Sequence, residues 1–253
     1  MSTQHTSPLV LITGASRGIG AATSLLAARQ GWTVAVNYAG NASAALDVVQ
    51  QIQAAGGKAQ AFQADVGNPV QITRLFAQVD ASLGRITALV NNAGVVDMTA
   101  RLDEMSWERM ERMMRINVLG SLACAREAVL RMSTRHGGSG GVIVNVGSVA
   151  ARLGSPAQYL DYAASKGAID TFTLGLAKEV AGEGIRVNCI RPGIIDTELH
   201  GSGGLPNRAR DLAPQVPMQR PGTADEVAQS VVWLLSDAAS YVTGSIIDVA
   251  GGR

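Results

Sequence analysis

Short apolar segments alternate with longer amphipathic segments from one end of the chain to the other. The first of them, Leu9-Val10-Leu11-Ile12, is apolar at every position and ends in Thr13-Gly14. A continuous apolar run of this kind is typical of a strand buried on both faces, as in a parallel sheet between two layers of helices. The pattern predicts seven strands, at 9–12, 33–36, 58–63, 88–90, 142–146, 186–190 and 246–249.

The segments between these strands have the periodicity of helices. Gly31 follows the first of them and Gly56-Gly57 the second, at positions where helices commonly end. The predicted helices are 19–30, 42–55, 70–83, 162–181 and 224–235, and 103–135 is either one long helix or two joined ones. Strands that alternate with helical crossovers form parallel sheets. We therefore predict an α/β fold, with residues 1–253 as a single doubly wound, Rossmann-like domain: a seven-stranded parallel sheet with helices on both faces.

Composition excludes several classes of protein. Hydrophobic residues make up 47% and charged residues 16% of the 253 positions, which excludes intrinsic disorder. A formal net charge of +1 provides no field that would attract nucleic acid or an anionic membrane. No apolar run approaches the ~18 residues of a membrane span and no signal peptide is visible, so we expect a cytoplasmic protein without a membrane partner.

The cysteines and histidines do not form a recognisable site. Cys124 and Cys189 make no CxxC motif, and both lie in apolar surroundings. We expect them to be buried as small hydrophobic side chains, with no disulfide. The three histidines are scattered along the chain. We therefore predict no metal site.

A segment rich in glycine and proline, residues 198–217, interrupts the regular alternation of elements. It is flanked by a predicted strand and a predicted helix and is too short to form a second domain. We interpret it as a mobile substrate flap, because functional loops are carried on the surface of rigid scaffolds. An ordinary exposed loop is the alternative.

The turn after the first strand has the spacing of a phosphate-binding loop. It reads Gly14-x-x-x-Gly18-Ile19-Gly20 and leads directly into the first helix. Glycines at these positions permit a tight turn and let backbone N–H groups approach a pyrophosphate at the helix N-terminus. Glycine clusters also mark plain turns, but this one lies between the first strand and the first helix. The position favours a dinucleotide site.

The end of the second strand indicates which dinucleotide is bound. An acidic residue there would accept hydrogen bonds from the adenosine ribose of NAD and would repel a 2′-phosphate. The sequence has Asn37 and Tyr38, with no carboxylate before Asp47, and Arg17 in the glycine loop offers a guanidinium to phosphate. We predict a preference for NADP(H) over NAD(H) that Asn37→Asp reverses. Two alternatives remain: dual use of NAD(H), and Arg17 as a solvated residue at the helix start.

Tyr162 and Lys166 are four residues apart on one predicted helix face. A tyrosine titrates near pH ~10, and a nearby cation favours its phenolate, so we expect Lys166 to lower the pKa of Tyr162 into a useful range. Ser148 follows the fifth strand, at the sheet edge where such folds bind ligands. Asn117 interrupts a helical segment; we expect it to form a local kink that holds a water against Lys166, and an exposed helix residue is the alternative.

Together these features resemble the short-chain dehydrogenase/reductase family. The resemblance extends over essentially the whole chain and includes Asn91-Asn92-Ala93-Gly94 and Pro192-Gly193 followed by Thr197. The Ser148-to-Tyr162 interval is about one residue longer than in many members, which affects the shape of the pocket rather than its chemistry. The resemblance implies oxidation or reduction of a carbonyl or secondary alcohol with NAD(P)(H).

The resemblance also implies a role for individual residues. Asn117, Ser148, Tyr162 and Lys166 would form a catalytic tetrad in which Tyr162 is the acid or base and Ser148 orients the substrate oxygen. Lys166 would bind the nicotinamide ribose, and Asn117 would complete a water-linked proton relay. Asp65-Val66 matches an adenine-contacting pair, although Asp65 could simply cap the following helix. The implied cofactor-binding set is Gly14, Ser16, Arg17, Gly18, Ile19, Gly20, Asn37, Tyr38, Asp65, Val66, Asn92, Ala93, Gly94, Tyr162, Lys166, Pro192, Gly193, Ile195 and Thr197.

The substrate is less well defined by sequence. The pocket is expected to be formed by residues 95–101, 149–161 and 200–214, and we favour NADPH-dependent reduction of a ketone or a 3-oxoacyl group. Sugar or polyol dehydrogenation, and a non-catalytic dinucleotide sensor, are the alternatives. Acyl carrier protein would be a partner if Arg131, Arg135 and Lys178 formed a cationic patch. Apolar surface on 118–132 and 162–181, together with Trp233, predicts a homotetramer; burial in the molecule's own core is the alternative.

Overall fold

In the computed structural model, which describes residues 8–198, 204–205 and 207–253, all seven predicted strands form one parallel sheet. The strand order is β3-β2-β1-β4-β5-β6-β7. The order reverses between β1 and β4, which makes that junction the switch point of a doubly wound fold. The strands are β1 (Leu9–Ile12), β2 (Thr33–Tyr38), β3 (Ala59–Gln63), β4 (Ala88–Asn91), β5 (Gly141–Val146), β6 (Ile185–Pro192) and β7 (Ile246–Val249).

Helices connect the strands as the periodicity predicted. The helix ends differ from the prediction by one or two residues, except that the helix predicted at 224–235 has those bounds in the structure. Several helices begin with a side-chain cap, such as Asn41 on Ala44 N and Thr223 on Glu226 N. The helices are α1 (Gly18–Arg29), α2 (Ala42–Ala54), α3 (Pro69–Ser82), α4 (Trp107–Met114), α5 (Ser121–Met132), α6 (Ala150–Leu153), α7 (Leu160–Val180), α8 (Arg208–Asp211) and α9 (Ala224–Leu235).

Successive strand residues face opposite sides of the sheet and enter two separate cores. In β1, Val10 and Ile12 pack with α1, α2 and α9, whereas Leu9 and Leu11 pack with α3, α5 and α7. All four are almost completely buried. Cys124 and Cys189 are free thiols in the interior, as predicted. This burial raises the pKa of each thiol to about 12.

The 103–135 segment forms two joined helices, the second of the two predicted forms. A π-helical segment, Arg115–Gly120, joins α4 to α5. Asn117 lies in it and is 1% exposed, so the interpretation of Asn117 as an exposed helix residue is wrong, whereas the local kink stays a prediction. π-bulges of this kind occur frequently at functional sites.

The predicted flap at 198–217 is described only in part. His200, Gly201 and Gly203 lie outside the described residues. The described part contains α8 and a 3₁₀ turn, Ala213–Gln215. Its mobility stays a prediction. Across the described ranges, no helix has both the length and the hydropathy that crossing a bilayer requires.

Candidate active site

An open cleft of about 510 Å³ lies at the carboxyl ends of the strands and extends across the switch point between β1 and β4. Ligands of doubly wound sheets bind in this crevice. Most of the predicted site residues border it: Gly14, Ser16, Arg17, Gly18, Ile19, Asn37, Tyr38, Asp65, Val66, Asn92, Ala93, Gly94, Ser148, Tyr162, Lys166, Pro192, Gly193, Ile195 and Thr197. The two exceptions, Gly20 and Asn117, lie behind it.

The glycine loop has a backbone that side chains would disrupt. Gly14 and Gly18 have φ of +61° and +53°, in the left-handed region that favours glycine. A Cβ on Gly14 would lie 2.9 Å from the Cα of Ala93, and one on Gly20 would lie 2.5 Å from the Gly14 carbonyl oxygen. The loop therefore leaves its backbone bare where α1 begins. This cradle fits the pyrophosphate of a dinucleotide.

Hydrogen bonds join the Asn92-Ala93 segment, at the end of β4, to the glycine loop. Asn92 Nδ2 donates to the carbonyl oxygens of Thr13 and Gly14, at 2.9 and 3.0 Å. Thr13 Oγ1 in turn accepts from the N–H groups of Asn92 and Ala93, both at 3.0 Å. The loop and the strand end thus form one rigid cradle.

Asn37 borders the cleft at the end of β2. Its side chain is held inside the fold: Nδ2 donates to the carbonyl oxygens of Phe62 (3.3 Å) and Ala64 (3.0 Å), and Oδ1 accepts from Gly14 N at 3.3 Å. The residue is 1% exposed. Aspartate at this position would lose the donor and bury a charge beside two carbonyl groups. The expectation that Asn37→Asp reverses cofactor choice stays a prediction, and half-buried Tyr38 borders the same part of the cleft.

The predicted adenine end of the cleft contains Asp65 and Val66. Asp65 Oδ1 accepts from Gly67 N at 2.8 Å. The cap of α3 is Asn68, whose side chain accepts from Val70 N and Gln71 N. The alternative that Asp65 caps this helix is therefore wrong.

Ser148 and Tyr162 meet at the edge of the cleft. Ser148 follows β5, and Tyr162 lies in the first turn of α7. Burial raises the pKa of Tyr162 above its usual value, while a hydrogen bond with the Ser148 side chain opposes this rise. The prediction that Lys166 lowers the pKa of Tyr162 is wrong, because desolvation of the phenolate is the larger effect. Tyr162 is therefore held as the protonated phenol, which is the form of a proton donor.

Lys166 lies one helical turn from Tyr162 and is 5% exposed. Its Nζ donates to the Val146 carbonyl oxygen at 2.7 Å and lies 5.6 Å from the centre of the Tyr162 ring. Burial lowers the pKa of Lys166 to about 8, against the opposing fields of Cys189 and Asp170. The ammonium is thus positioned between the end of β5 and the phenol.

Asn117 supports the loop that follows β4. Its Oδ1 accepts from Val95 N at 2.8 Å, and its Nδ2 donates to the Val95 carbonyl oxygen at 3.0 Å. Nδ2 also lies 3.1 Å from Ser165 Oγ, in the same helix as Lys166. A Cβ on Gly94 would lie 3.5 Å from Asn117 Oδ1 and 3.6 Å from Lys166 Nζ. These distances bring Asn117 close to Lys166, and the water between them stays a prediction.

The segment after β6 closes the opposite wall of the cleft. A Cβ on Gly193 would lie 2.7 Å from the Cα of Ala250, so only glycine fits there without displacement. Ile195 is buried, and its backbone bridges to Gly222. Thr197 faces the glycine loop, because a Cβ on Gly18 would lie 3.5 Å from its side chain. The contacts of this segment with the cofactor stay a prediction.

Sequence reasoning missed an ion pair at the start of α7. Asp161, next to Tyr162, accepts from Arg109 Nε and Nη2 at 2.8 and 3.2 Å, and Arg109 Nη1 also donates to the Met98 carbonyl oxygen at 2.7 Å. The Arg109 side chain is 11% exposed and the Asp161 side chain is 3% exposed. The residues are 52 positions apart, so no local pattern in the sequence indicates the pair.

The predicted cationic patch for acyl carrier protein is not formed as expected. Arg131 is 14% exposed, pairs with Asp80 and Glu127 at 2.8 Å each, and stacks over Phe76. Its charge is used inside the fold, so including Arg131 in the patch is wrong. Arg135 and Lys178 remain on the surface.

Comparison with known proteins identifies the family. A family model described as "Enoyl-(Acyl carrier protein) reductase" matches residues 14–253. The chain superimposes with a TM-score of 0.88 on a Serratia marcescens short-chain dehydrogenase/reductase mutant, with 32% identity and 97% of each chain covered. The chain belongs to the short-chain dehydrogenase/reductase family. It is accordingly an oxidoreductase with a Rossmann-like fold.

The chain has several similar relatives in this family. Some of their names specify a reaction and others do not. "Uncharacterized oxidoreductase YgfF" of Escherichia coli is 56% identical, with 97% of this chain and 99% of the relative covered. A Synechocystis "3-oxoacyl-[acyl-carrier-protein] reductase" is 38% identical over 99% and 98% of the two chains. The structure of a Burkholderia cenocepacia short-chain dehydrogenase in complex with NADP has a TM-score of 0.88 to this chain. The two chains are 33% identical, and the match covers 97% of each.

Proposed function

We propose that the protein reduces a ketone, or the 3-oxo group of an acyl chain, to a secondary alcohol with NADPH, and that Tyr162 is the proton donor. The observation that carries the proposal is that Ser148, Tyr162 and Lys166 border one cleft that a dinucleotide fits, with Lys166 Nζ 5.6 Å from the centre of the Tyr162 ring. The 3-oxoacyl reductase relative and the NADP complex of the Burkholderia protein support the direction and the cofactor.

The residues of this chain divide the work as follows. The bound NADPH supplies the hydride. The Ser148 hydroxyl donates to the substrate carbonyl oxygen and orients it toward Tyr162, whose phenol is protonated because of its raised pKa. The Tyr162 proton moves to that oxygen as negative charge develops on it. Lys166, cationic below its pKa of about 8, stabilises the phenolate that remains.

NADP(H) is preferred over NAD(H) because no carboxylate faces the adenosine ribose from the described end of β2. Tyr38, Ala39, Gly40 and Asn41 border that part of the cleft together with exposed Arg17. A charge-assisted hydrogen bond from Arg17 to the 2′-phosphate contributes roughly 1.5–3 kcal/mol, equivalent to about ten- to a hundredfold in affinity. Parallel assays with NADPH and NADH measure this ratio.

The proposed chemistry is tested with Tyr162→Phe, which keeps the ring and removes the proton donor. With a panel of ketones and 3-oxoacyl thioesters, kcat should fall by about 10²–10⁴-fold. NADPH binding, followed by the fluorescence of the reduced nicotinamide, should stay unchanged. Tyr241→Phe is the matched control, because Tyr241 is fully exposed and does not border the cleft. Near-normal turnover by Tyr162→Phe would overturn the proposed function.

A further inference from the structure

The cleft continues past Tyr162 into a part that the proposed reaction does not use. Its wall is formed by α6, by the turn between α6 and α7, by α8 and by the segment after β7. The polar side chains on this wall include Tyr159, Arg208 and Arg253. We refer to these three residues as the distal subsite.

Tyr159 brings a buried hydroxyl to the distal subsite. The residue is 5% exposed, and its Oη has no hydrogen-bond partner among the described residues. The Arg208 guanidinium lies 4.9 Å from the centre of the Tyr159 ring, and Arg208 Nη2 donates to Gln158 Oε1 at 2.6 Å. The ring and the guanidinium are therefore held in place, while the hydroxyl is left available to a ligand.

Arg253 brings a second unsatisfied donor. Its Nη1 is buried, and no described residue accepts a hydrogen bond from it. Its backbone is anchored, because Arg152 Nη2, from α6, donates to the Arg253 carbonyl oxygen at 2.6 Å. Ala250, three residues earlier, packs against Gly193 at the predicted nicotinamide end of the cleft. Arg253 therefore borders the cleft close to the segment that packs at its predicted nicotinamide end.

Leaving such donors unpaired costs stability, and a charged donor costs more than a neutral one. An unpaired donor that borders a cleft is positioned to bind an acceptor atom of a ligand. The charge here is positive: Arg208 and Arg253 contribute two guanidinium groups, and Arg152 is paired with Asp248 at 2.9 Å. The carboxylates that border the cleft among the described residues are Asp65, at the adenine end, and Glu198. An anion with several acceptor oxygens satisfies this environment, whereas an alkyl chain does not.

We infer that the distal subsite binds a carboxylate of the substrate, so that the physiological ketone is a small oxo acid. The inference rests on the proposed function, because it adds a recognition group to the ketone that Tyr162 reduces. The carboxylate accepts hydrogen bonds from Tyr159 Oη and Arg253 Nη1, within the field of Arg208. These contacts fix the distance between the bound carboxylate and the carbonyl carbon of the ketone. Oxo acids with one particular spacing between carboxylate and ketone are therefore preferred.

The test compares 2-, 3-, 4- and 5-oxo acids with their methyl esters, which keep the ketone and remove the charge. For the best spacing, we expect kcat/KM to be about ten- to a hundredfold higher for the acid than for its ester. Arg253→Ala should abolish this ratio by weakening only the acid, and Arg253→Lys should restore part of it. Tyr159→Phe should lower the acid-to-ester ratio less than Arg253→Ala does. Arg74→Ala, on the exposed face of α3, is the control with the same loss of charge.

Binding measured by calorimetry, in the presence of NADP⁺, makes the test independent of turnover. The oxo acid should bind more tightly than its ester to the wild type and equally weakly to Arg253→Ala. Equal affinity or equal kcat/KM for acid and ester in the wild type would overturn the inference and leave the proposed function standing. Selective binding of the acid without reduction of any ketone would instead support the subsite and overturn the proposed function. A preference for neutral 3-oxoacyl thioesters over every free acid would also refute the carboxylate site.

Discussion

At the scale of single residues, the buried ammonium of Lys166 has a measurable effect on stability. Burial lowers its pKa to about 8 in the folded protein, whereas an unfolded lysine titrates near ~10.4. Between these values the unfolded chain binds more protons than the folded one, so this group makes the free energy of unfolding rise as the pH increases from about 8 to 10. Below pH 8 the buried charge costs stability.

Lys166→Met removes this contribution while keeping a side chain of similar length. We expect the variant to gain stability relative to the wild type by up to about 3 kcal/mol at pH 7, and this advantage to shrink toward pH 10. Urea unfolding at several pH values measures the difference. The raised pKa values of Cys124 and Cys189 lower the free energy of unfolding of both proteins as the pH increases past 9. The informative quantity is therefore the difference in free energy of unfolding between the variant and the wild type at each pH, and not the wild-type value alone. A difference that does not vary with pH would contradict the prediction.

Asn37 and Tyr38 show what a residue-level interpretation can miss. The absence of a carboxylate at the end of β2 was visible in the sequence, but the hydrogen bonds that hold the Asn37 amide were not. Strand residues alternate between faces, and the structure turns the Asn37 amide toward Phe62, Ala64 and Gly14. The strand is two residues longer than predicted, and it ends at Tyr38 rather than before Asn37.

At the scale of elements, the Arg109–Asp161 pair joins α4 to the start of the helix that carries Tyr162 and Lys166. Asp161 also accepts from Tyr162 N at 2.9 Å, so one carboxylate contacts both the ion pair and the first turn of α7. The pair is almost completely buried. It holds α7 against the loop that Arg109 contacts at Met98.

Arg109→Ala should lower the free energy of unfolding by about 3–5 kcal/mol, because it leaves the Asp161 carboxylate buried without its partner. Arg112→Ala is a matched control on the same helix, since its pair with Asp97 is 44% and 29% exposed and should contribute about 1 kcal/mol or less. Urea unfolding of both variants tests the comparison. Equal losses in the two variants would show that burial of the Asp161 pair has no special cost.

At the scale of the whole molecule, several large apolar side chains remain on the surface of the chain. Leu119, Leu130 and Leu174, in or next to α5 and α7, are 60%, 39% and 41% exposed, and Trp233 on α9 is 42% exposed. The alternative that all of this surface belongs to the molecule's own core is therefore wrong for these residues. Apolar faces on two sides of one molecule fit closed assembly by two-fold interfaces, which is the tetramer predicted from sequence.

Sedimentation velocity at micromolar concentration should show a tetramer. Leu174→Glu should dissociate it into smaller species, because a charge in the middle of an apolar interface is left unpaired. Leu46→Glu is the matched control, since Leu46 is 50% exposed on α2, which packs on the opposite side of the sheet. A stable wild-type monomer, or equal dissociation by both variants, would refute this assembly.

Much of the fold and the site could be determined from the sequence because the relevant signals are local. Apolar runs and helical periods predicted seven strands and the crossovers between them, and hydrophobic burial on both faces of the sheet requires that arrangement. Gly14, Gly18 and Gly20 indicated the phosphate cradle, since a turn with left-handed backbone and close packing needs glycine. Ser148, Tyr162 and Lys166 were recognisable from their spacing and their place in the alternation of elements.

Other properties were decided only by tertiary structure, because they depend on contacts between residues distant in sequence. The pKa of Tyr162 is set by how deeply α7 is buried, and the spacing to Lys166 predicted the opposite direction. The ion pairs of Arg109 and Arg131 connect elements about 50 positions apart. The distal subsite brings Tyr159 together with Arg208 and Arg253. No pattern along the chain reports such proximity, since packing and desolvation arise only when the sheet and its two helical layers come together.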